Sequence, residues 1–245
     1  MREVACVGSA RTLLVADVGD VLRPCVTLAA GTHGDEPAAP WALLNILESG
    51  LLHSAFSYRV WPCINPTGFQ SGRRVNVEGT DVNRSFSGGG SSPEAKAIIT
   101  ADRDRRFVAS FDLHEDVEAQ GFYCFEVARE NETTLGDSVV DVLREGGFPL
   151  QQFPPGFDLG YGDGLVPDAR VECGRVRLAL ESELKYFQPR GLPFTAYMVK
   201  RAAHFGLTFE TPATRSWQDR VSMHRVAVQR ALSQLAKVTL ARPTN

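Results

Sequence analysis

The chain has 245 residues, 43% hydrophobic and 22% charged, with a formal net charge of −3. That balance excludes a mainly disordered chain, and 26 Lys+Arg against 29 Asp+Glu leave no basic footprint for nucleic acid. Its longest apolar runs, residues 13–16 and 26–30, are far too short to span a bilayer.

Residues 11–16 and 24–30 are apolar runs of strand length. Residues 36–47 have helical spacing through Trp41, Leu44 and Leu47, with Pro37 and Pro40 near the start. A strand over 58–64 is stopped by Asn65-Pro66. Residues 65–86 show no hydrophobic period and read as a long loop. After the loop at 87–92, Ser92, Pro93 and Glu94 have the character of an N-cap, a first-turn proline and a first-turn acid, opening a helix to about Asp102. Strands follow at 107–113 and 121–127, and a helix at 135–145. The Gly- and Pro-rich stretch 146–164 reads as a lid or a surface excursion. The spacing then predicts a strand at 175–184, a helix at 194–205, a strand at 207–211 and a closing helix at 216–240. This alternation predicts an α/β sheet covered on both faces, in a single domain over 1–245 with no repeat.

The groups capable of chemistry fall at strand ends, where an α/β sheet collects its functional side chains. His33 and Glu36 stand three apart at a strand-to-helix turn, and both are good zinc ligands. By themselves they also fit a turn followed by a first-turn acid. His114 ends the strand at 107–113, with Asp112 on the same face and able to orient its imidazole; alone, it also fits a structural histidine. Two His and one Glu would leave a fourth coordination position open. The polar stretch 73–86 concentrates Arg73, Arg74 and Arg84, whose guanidinium forks suit carboxylates, although ordinary surface ion pairs fit too. Glu210 lies among apolar neighbours near the end of its strand. There it would be partly desolvated, as a general base requires, or else a strand-end ion-pair acid.

Together, His33-x-x-Glu36, Asn65-Pro66-x-Gly68, Arg74, Gly79-x-Asp81-x-Asn83-Arg84-x-Phe86, Asp112-x-His114 and Phe209-Glu210 resemble the zinc metallocarboxypeptidase superfamily. That superfamily includes the succinylglutamate desuccinylase and aspartoacylase branch. The resemblance runs from about residue 24 to 235. It implies a mixed, mainly parallel eight-stranded sheet with helices on both faces and one zinc per chain, held by His33, Glu36 and His114. It also implies that Arg74 polarises the scissile carbonyl, that Asn83 and Arg84 hold the substrate's free carboxylate, and that Glu210 is general base and acid. Glu181 is the second choice for the base. The tyrosine that moves onto substrate in this family has no motif here; Tyr161, Tyr186 and Tyr197 are candidates. His53, His204 and His224 read as structural or exposed.

In two places the chain departs from the family pattern. Glu115 and Asp116 follow His114 where secreted carboxypeptidases more often carry Ser or Thr, and the gap from His114 to Glu210 is long. The chain ends about 35 residues past Glu210, with no room for the β-rich C-terminal domain usual in aspartoacylase-type enzymes. The expectation is therefore a carboxypeptidase releasing a C-terminal amino acid; the alternative is an N-acyl amino acid deacylase. Either substrate carries a free carboxylate. Cys6, Cys25, Cys63, Cys124 and Cys173 show no CxxC spacing, and the N-terminus has no long apolar segment. These features predict free thiols in the cytoplasm. The oligomeric state is not legible.

Overall fold

Most of the apolar runs become strands of one sheet in the computed structural model, which describes residues 1–7, 11–128, 134–154, 169–201 and 203–241. Its strands are β1 (Arg2–Val7), β2 (Arg11–Val18), β3 (Cys25–Ala30), β4 (Ser57–Trp61), β5 (Ala109–Asp116), β6 (Tyr123–Ala128), β7 (Arg170–Glu172), β8 (Arg175–Ala179) and β9 (Phe205–Pro212). The helices are α1 (Ala38–Glu48), α2 (Pro66–Ser71), α3 (Pro93–Ala101), α4 (Gly136–Glu145), α5 (Leu180–Phe187), α6 (Phe194–Arg201) and α7 (Trp217–Ala241). The spatial order is β1-β2-β4-β3-β5-β9-β6-β8-β7.

The sheet is mixed, as expected, but has nine strands among the described residues instead of eight. The two outermost, β1 and β7, pair antiparallel with β2 and β8. β7 has only three residues, too few for a sequence period to register. Parallel pairing joins β4, β3, β5 and β9, and joins β6 to β8. β6 runs antiparallel to β9.

Helices α1, α4 and α7 cover one face, where Leu28, Phe111, Leu207 and Phe209 meet Leu43, Ile46, Val228 and Leu232. Helices α3, α5 and α6 cover the other, around Trp61, Phe86, Phe194 and Met198. Strand β5 is buried on both faces, as a central parallel strand must be. The buried side of α1 is Ala39, Ala42, Leu43 and Ile46, whereas Trp41 is 56% exposed. The helix is where the spacing predicts it; Leu47 packs at the edge of the core, and the small alanines let α1 lie close to the sheet.

A second correction concerns residues 175–184. The strand stops at Ala179, and Leu180 opens α5. Alternation gives way there to helical spacing through Glu183 and Phe187, with acids in the first turn and Lys185 in the last, both favourable to the helix dipole. The stretch 65–86 also contains α2 and a 3-10 turn at Val82–Arg84. Of the expected lid, residues 155–164 lie outside the described residues.

Away from the strand ends described below, Arg59 is completely buried. Its Nε donates to Asp102 at 2.8 Å, its terminal nitrogen reaches Asp17 at 3.0 Å, and the Trp61 indole donates to Asp102 at 3.1 Å. This network ties β2, β4 and the end of α3. Replacing Asp102 with Ala strands a buried guanidinium and is expected to cost about 3–5 kcal/mol in urea unfolding. A loss below about 1 kcal/mol would show that Asp17 alone satisfies Arg59.

Candidate active site

The C-terminal ends of β3, β5 and β9 meet a cavity of about 370 Å³ lined by His33, Glu36, Arg74, Arg84, Glu183 and Glu210, among others. A larger cavity of about 710 Å³ lies elsewhere, among Asp17, Tyr58 and Arg105. None of the site residues expected from sequence lines it.

The turn after β3 carries His33 and Glu36 into α1. Pro37 at the helix start provides no side-chain cap. Glu115, the residue after His114, fills that role: its Oε1 accepts from the Ala38 amide at 2.6 Å, and its other oxygen pairs with Arg220 of α7. Side-chain alternation along β5 sends Asp112 and His114 to the opposite face from Glu115. Glu115 is nonetheless beside the site, as its place in the sequence suggests: it lines the cavity, its amide donates to Glu36 at 3.1 Å, and its carboxylate braces the start of α1.

His33 Nδ1 lies 2.6 Å from one Glu36 oxygen and His114 Nδ1 lies 2.8 Å from the other. One donor atom from each of the three buried residues falls within 4.8 Å of the others. His114 Nε2 is 2.9 Å from Asp112 Oδ2. If Nε2–H donates to that carboxylate, Nδ1 presents its lone pair toward Glu36. Two imidazole nitrogens and a carboxylate, all buried and facing one another, require a proton or a cation between them. Burial alone would raise the Glu36 pKa, but His114 and His33 outweigh it and hold the carboxyl well below its ordinary range. Burial likewise opposes the charged form of His114, yet Asp112 and Glu36 push its pKa well up. In donor chemistry, convergence and second-sphere support, this set fits a zinc ion.

The Asn65-Pro66-Thr67-Gly68 stretch works as a clamp. Asn65 Oδ1 caps α2 by accepting from the Gly68 amide at 2.9 Å, and its Nδ2 donates to the Arg74 carbonyl at 3.2 Å. The Gly34 amide reaches the same carbonyl at 3.4 Å. Gly34 and Gly68 touch backbone to backbone: a Cβ on Gly34 would lie 2.0 Å from the Gly68 carbonyl carbon. This contact fixes Arg74 beside His33, at 3.3 Å from Nδ1, while its other nitrogen donates to Asp81 at 3.1 Å. Asp81 Oδ1 accepts from the Asn83 amide at 2.9 Å, capping the 3-10 turn. Asn83 Oδ1 accepts from the Phe194 amide at 3.0 Å, which docks the start of α6.

Glu210 stands opposite His114 in the β5–β9 register. Burial drives its pKa well up, against the pull of His114. Glu181, the second choice for the base, is on the exposed side of α5 and does not line the cavity. Among the tyrosines considered, Tyr197 packs on Phe86, Tyr186 packs on Phe187, and Tyr161 lies outside the described residues. Tyr123, which the sequence reading missed, does line the cavity. It pairs with Glu210 across β6–β9, and its hydroxyl donates to Asp116 at 2.8 Å. His53 is a local turn acceptor, and His224 is buried against Thr211 with its pKa pushed down to about 3 by burial.

Residues 23–152, just over half of the chain, match the family model of the succinylglutamate desuccinylase/aspartoacylase catalytic domain. The chain belongs to this family. The succinylglutamate desuccinylase/aspartoacylase domain lies within the metallocarboxypeptidase superfamily. Murein peptide amidase A of Escherichia coli K12 is 42% identical over 24% of this chain and 24% of its own length. Carboxypeptidase SOL1 of Arabidopsis thaliana is 30% identical over 38% of this chain and 23% of its own length. The matches thus span about a quarter of either relative. In fold, the chain is similar to a candidate metallopeptidase from Shewanella amazonensis SB2B, with a TM-score of 0.75 at 23% identity over 96% of this chain and 86% of that one. A metallo-carboxypeptidase from Burkholderia cenocepacia has a TM-score of 0.66 at 16% identity, over 98% of this chain and 65% of that one. No helix among the described residues is long and apolar enough to cross a membrane. Cys25, Cys63, Cys124 and Cys173 are free, and the Cys6 side chain lies outside the described residues.

Proposed function

We propose that this protein is a zinc-dependent carboxypeptidase that hydrolyses the amide bond of a C-terminal amino acid, working in the cytoplasm, where its free thiols persist. The observation that carries the reading is the arrangement along one cavity. It contains the His33–Glu36–His114 cluster, a carboxylate one strand away at Glu210, and a guanidinium at Arg84. A zinc ion held by the three clustered residues would supply Lewis-acid polarisation of the carbonyl and a lowered pKa for water.

The chain's own groups do the rest. Glu210 takes the proton of the attacking water on its carboxylate and passes it to the leaving nitrogen. Arg74, oriented by Asp81 and the Asn65 clamp, stabilises the charge that develops on the carbonyl oxygen. Arg84 and Asn83 take the free carboxylate, which fixes the register of the scissile bond. Arg84 lies over the Phe187 ring at 5.0 Å and donates to the Asn83 carbonyl at 2.9 Å, so its fork starts from an ordered position.

The family match favours a second reading, the deacylation of N-acyl amino acids. The test compares peptides with a free C-terminus, the same peptides amidated, and N-acyl amino acids, each with wild type and Arg84→Ala. Release of a terminal amino acid from free peptides is expected, with kcat/KM about 10²-fold lower for the amide and the same loss in Arg84→Ala on free peptides. Activity confined to N-acyl amino acids would establish the second reading. Equal loss in Arg84→Ala on free and amidated peptides would remove the carboxylate role.

A further inference from the structure

One buried carboxyl in the cavity has no part in the chemistry above. Glu183 is 5% exposed and lines the cavity with Arg84, and no protein group among the described residues hydrogen-bonds its Oε2. A buried carboxyl oxygen without a partner is costly unless a ligand satisfies it. Glu183 and Phe187 are one turn apart on α5, on the same helix face, and the Phe187 ring carries the Arg84 guanidinium.

The segment that follows α5 is clamped to the Arg84 region. A Cβ on Gly191 would meet the Arg84 carbonyl at 1.8 Å, the Phe86 amide donates to the Leu192 carbonyl at 3.1 Å, and the Phe194 amide donates to Asn83. Acid and guanidinium are therefore held in a fixed relation at one end of the cavity. Burial pushes the Glu183 pKa up to about 8, with Arg84 pulling the other way, so a cation placed against its unpartnered oxygen would favour the carboxylate form.

The geometry points to Glu183 as the residue that selects the amino-acid part of the substrate for an ammonium group, whose N–H donates to Oε2 while the carboxylate of the same amino acid lies on Arg84. This rests on the cavity being the substrate site proposed above. The ligand class is an amino acid with both a carboxylate and a free ammonium. Alkyl acids that match it in length but lack the ammonium are discriminated against, because they leave the carboxyl unpaired.

The test is calorimetric titration of the zinc-loaded protein with four acids of one chain length: lysine, norleucine, 6-aminohexanoate and hexanoate. The five-carbon set is run in parallel. No turnover is needed. At least one ammonium-bearing acid is expected to bind about tenfold or more tightly than the acid without it. In Glu183→Gln that ratio should fall close to one. Glu183→Asp, which draws the charge back by one methylene, should give an intermediate ratio and serves if the Gln variant does not fold. Equal wild-type binding of all four acids would overturn the assignment. So would a shift of all four together in Glu183→Gln, which would show that the acid only tunes Arg84 or shapes the pocket. Peptide and N-acyl cleavage are measured separately. Ammonium selection without any cleavage would sink the hydrolase reading alone, and cleavage without selection would sink the Glu183 assignment alone.

Discussion

Glu210→Gln is expected to retain zinc and to lose about 10²–10⁴-fold in kcat. Glu210 is not among the three clustered donors; it faces His114 from the neighbouring strand. The amide is isosteric with the acid and cannot accept a proton at the pH of the assay. Elemental analysis and steady-state kinetics on the same preparation decide the matter. A variant that loses its metal would make Glu210 a ligand, and a variant that keeps its kcat would move the proton transfer to another group. Tyr123 and Asp116 at the same rim would be the next to examine.

Gly34→Ala should damage the site without touching any polar atom in it. The added methyl would lie 2.0 Å from the Gly68 carbonyl carbon and 2.2 Å from the Phe69 nitrogen. Both obstacles are backbone, so no rotamer change relieves them and α2 must move. That motion carries the Arg74 carbonyl away from Gly34 and Asn65, and with it the guanidinium beside His33. A loss of about 1–3 kcal/mol in unfolding free energy is expected, with about a 10²-fold fall in kcat/KM from misplacement of roughly 1 Å. Gly89→Ala is the control, since a methyl there meets nothing within 4 Å. Equal behaviour of the two variants would show that the backbone contact does not set the position of Arg74.

The meeting of His33, Glu36 and His114 was legible in the sequence because each follows or ends an apolar run, and strand ends on one edge of a sheet are neighbours. Ser92 as an N-cap was legible for a similarly local reason, and its hydroxyl accepts from the Ala95 amide at 3.1 Å. What escaped was information that only tertiary structure holds. Tyr123 becomes a neighbour of Glu210 only because β6 runs against β9. In a strand continued to Leu184, Glu181 and Glu183 would share one face; only because α5 opens at Leu180 do they part, Glu183 toward the cavity and Glu181 to the exposed side. The Asn-Pro-x-Gly motif was visible, but its purpose was not. The clash that Gly34 and Gly68 avoid depends on two loops that approach each other in space.

The position of β9 has a consequence for how the molecule assembles. It is the last described strand in sequence, yet it lies in the middle of the sheet, between β5 and β6. Its partner β5 precedes it by about a hundred residues, and pairings of such separation slow folding because a large loop must close before any contact rewards it. Strands β5 and β6 have to remain apart until β9 arrives, and β9 brings Glu210 with it. On the proposed function, arrival of the proton-transfer group and closure of the sheet then coincide. A nascent chain halted before residue 205 would hold His33, Glu36 and His114 and still have an open seam where the proposed proton-transfer group belongs.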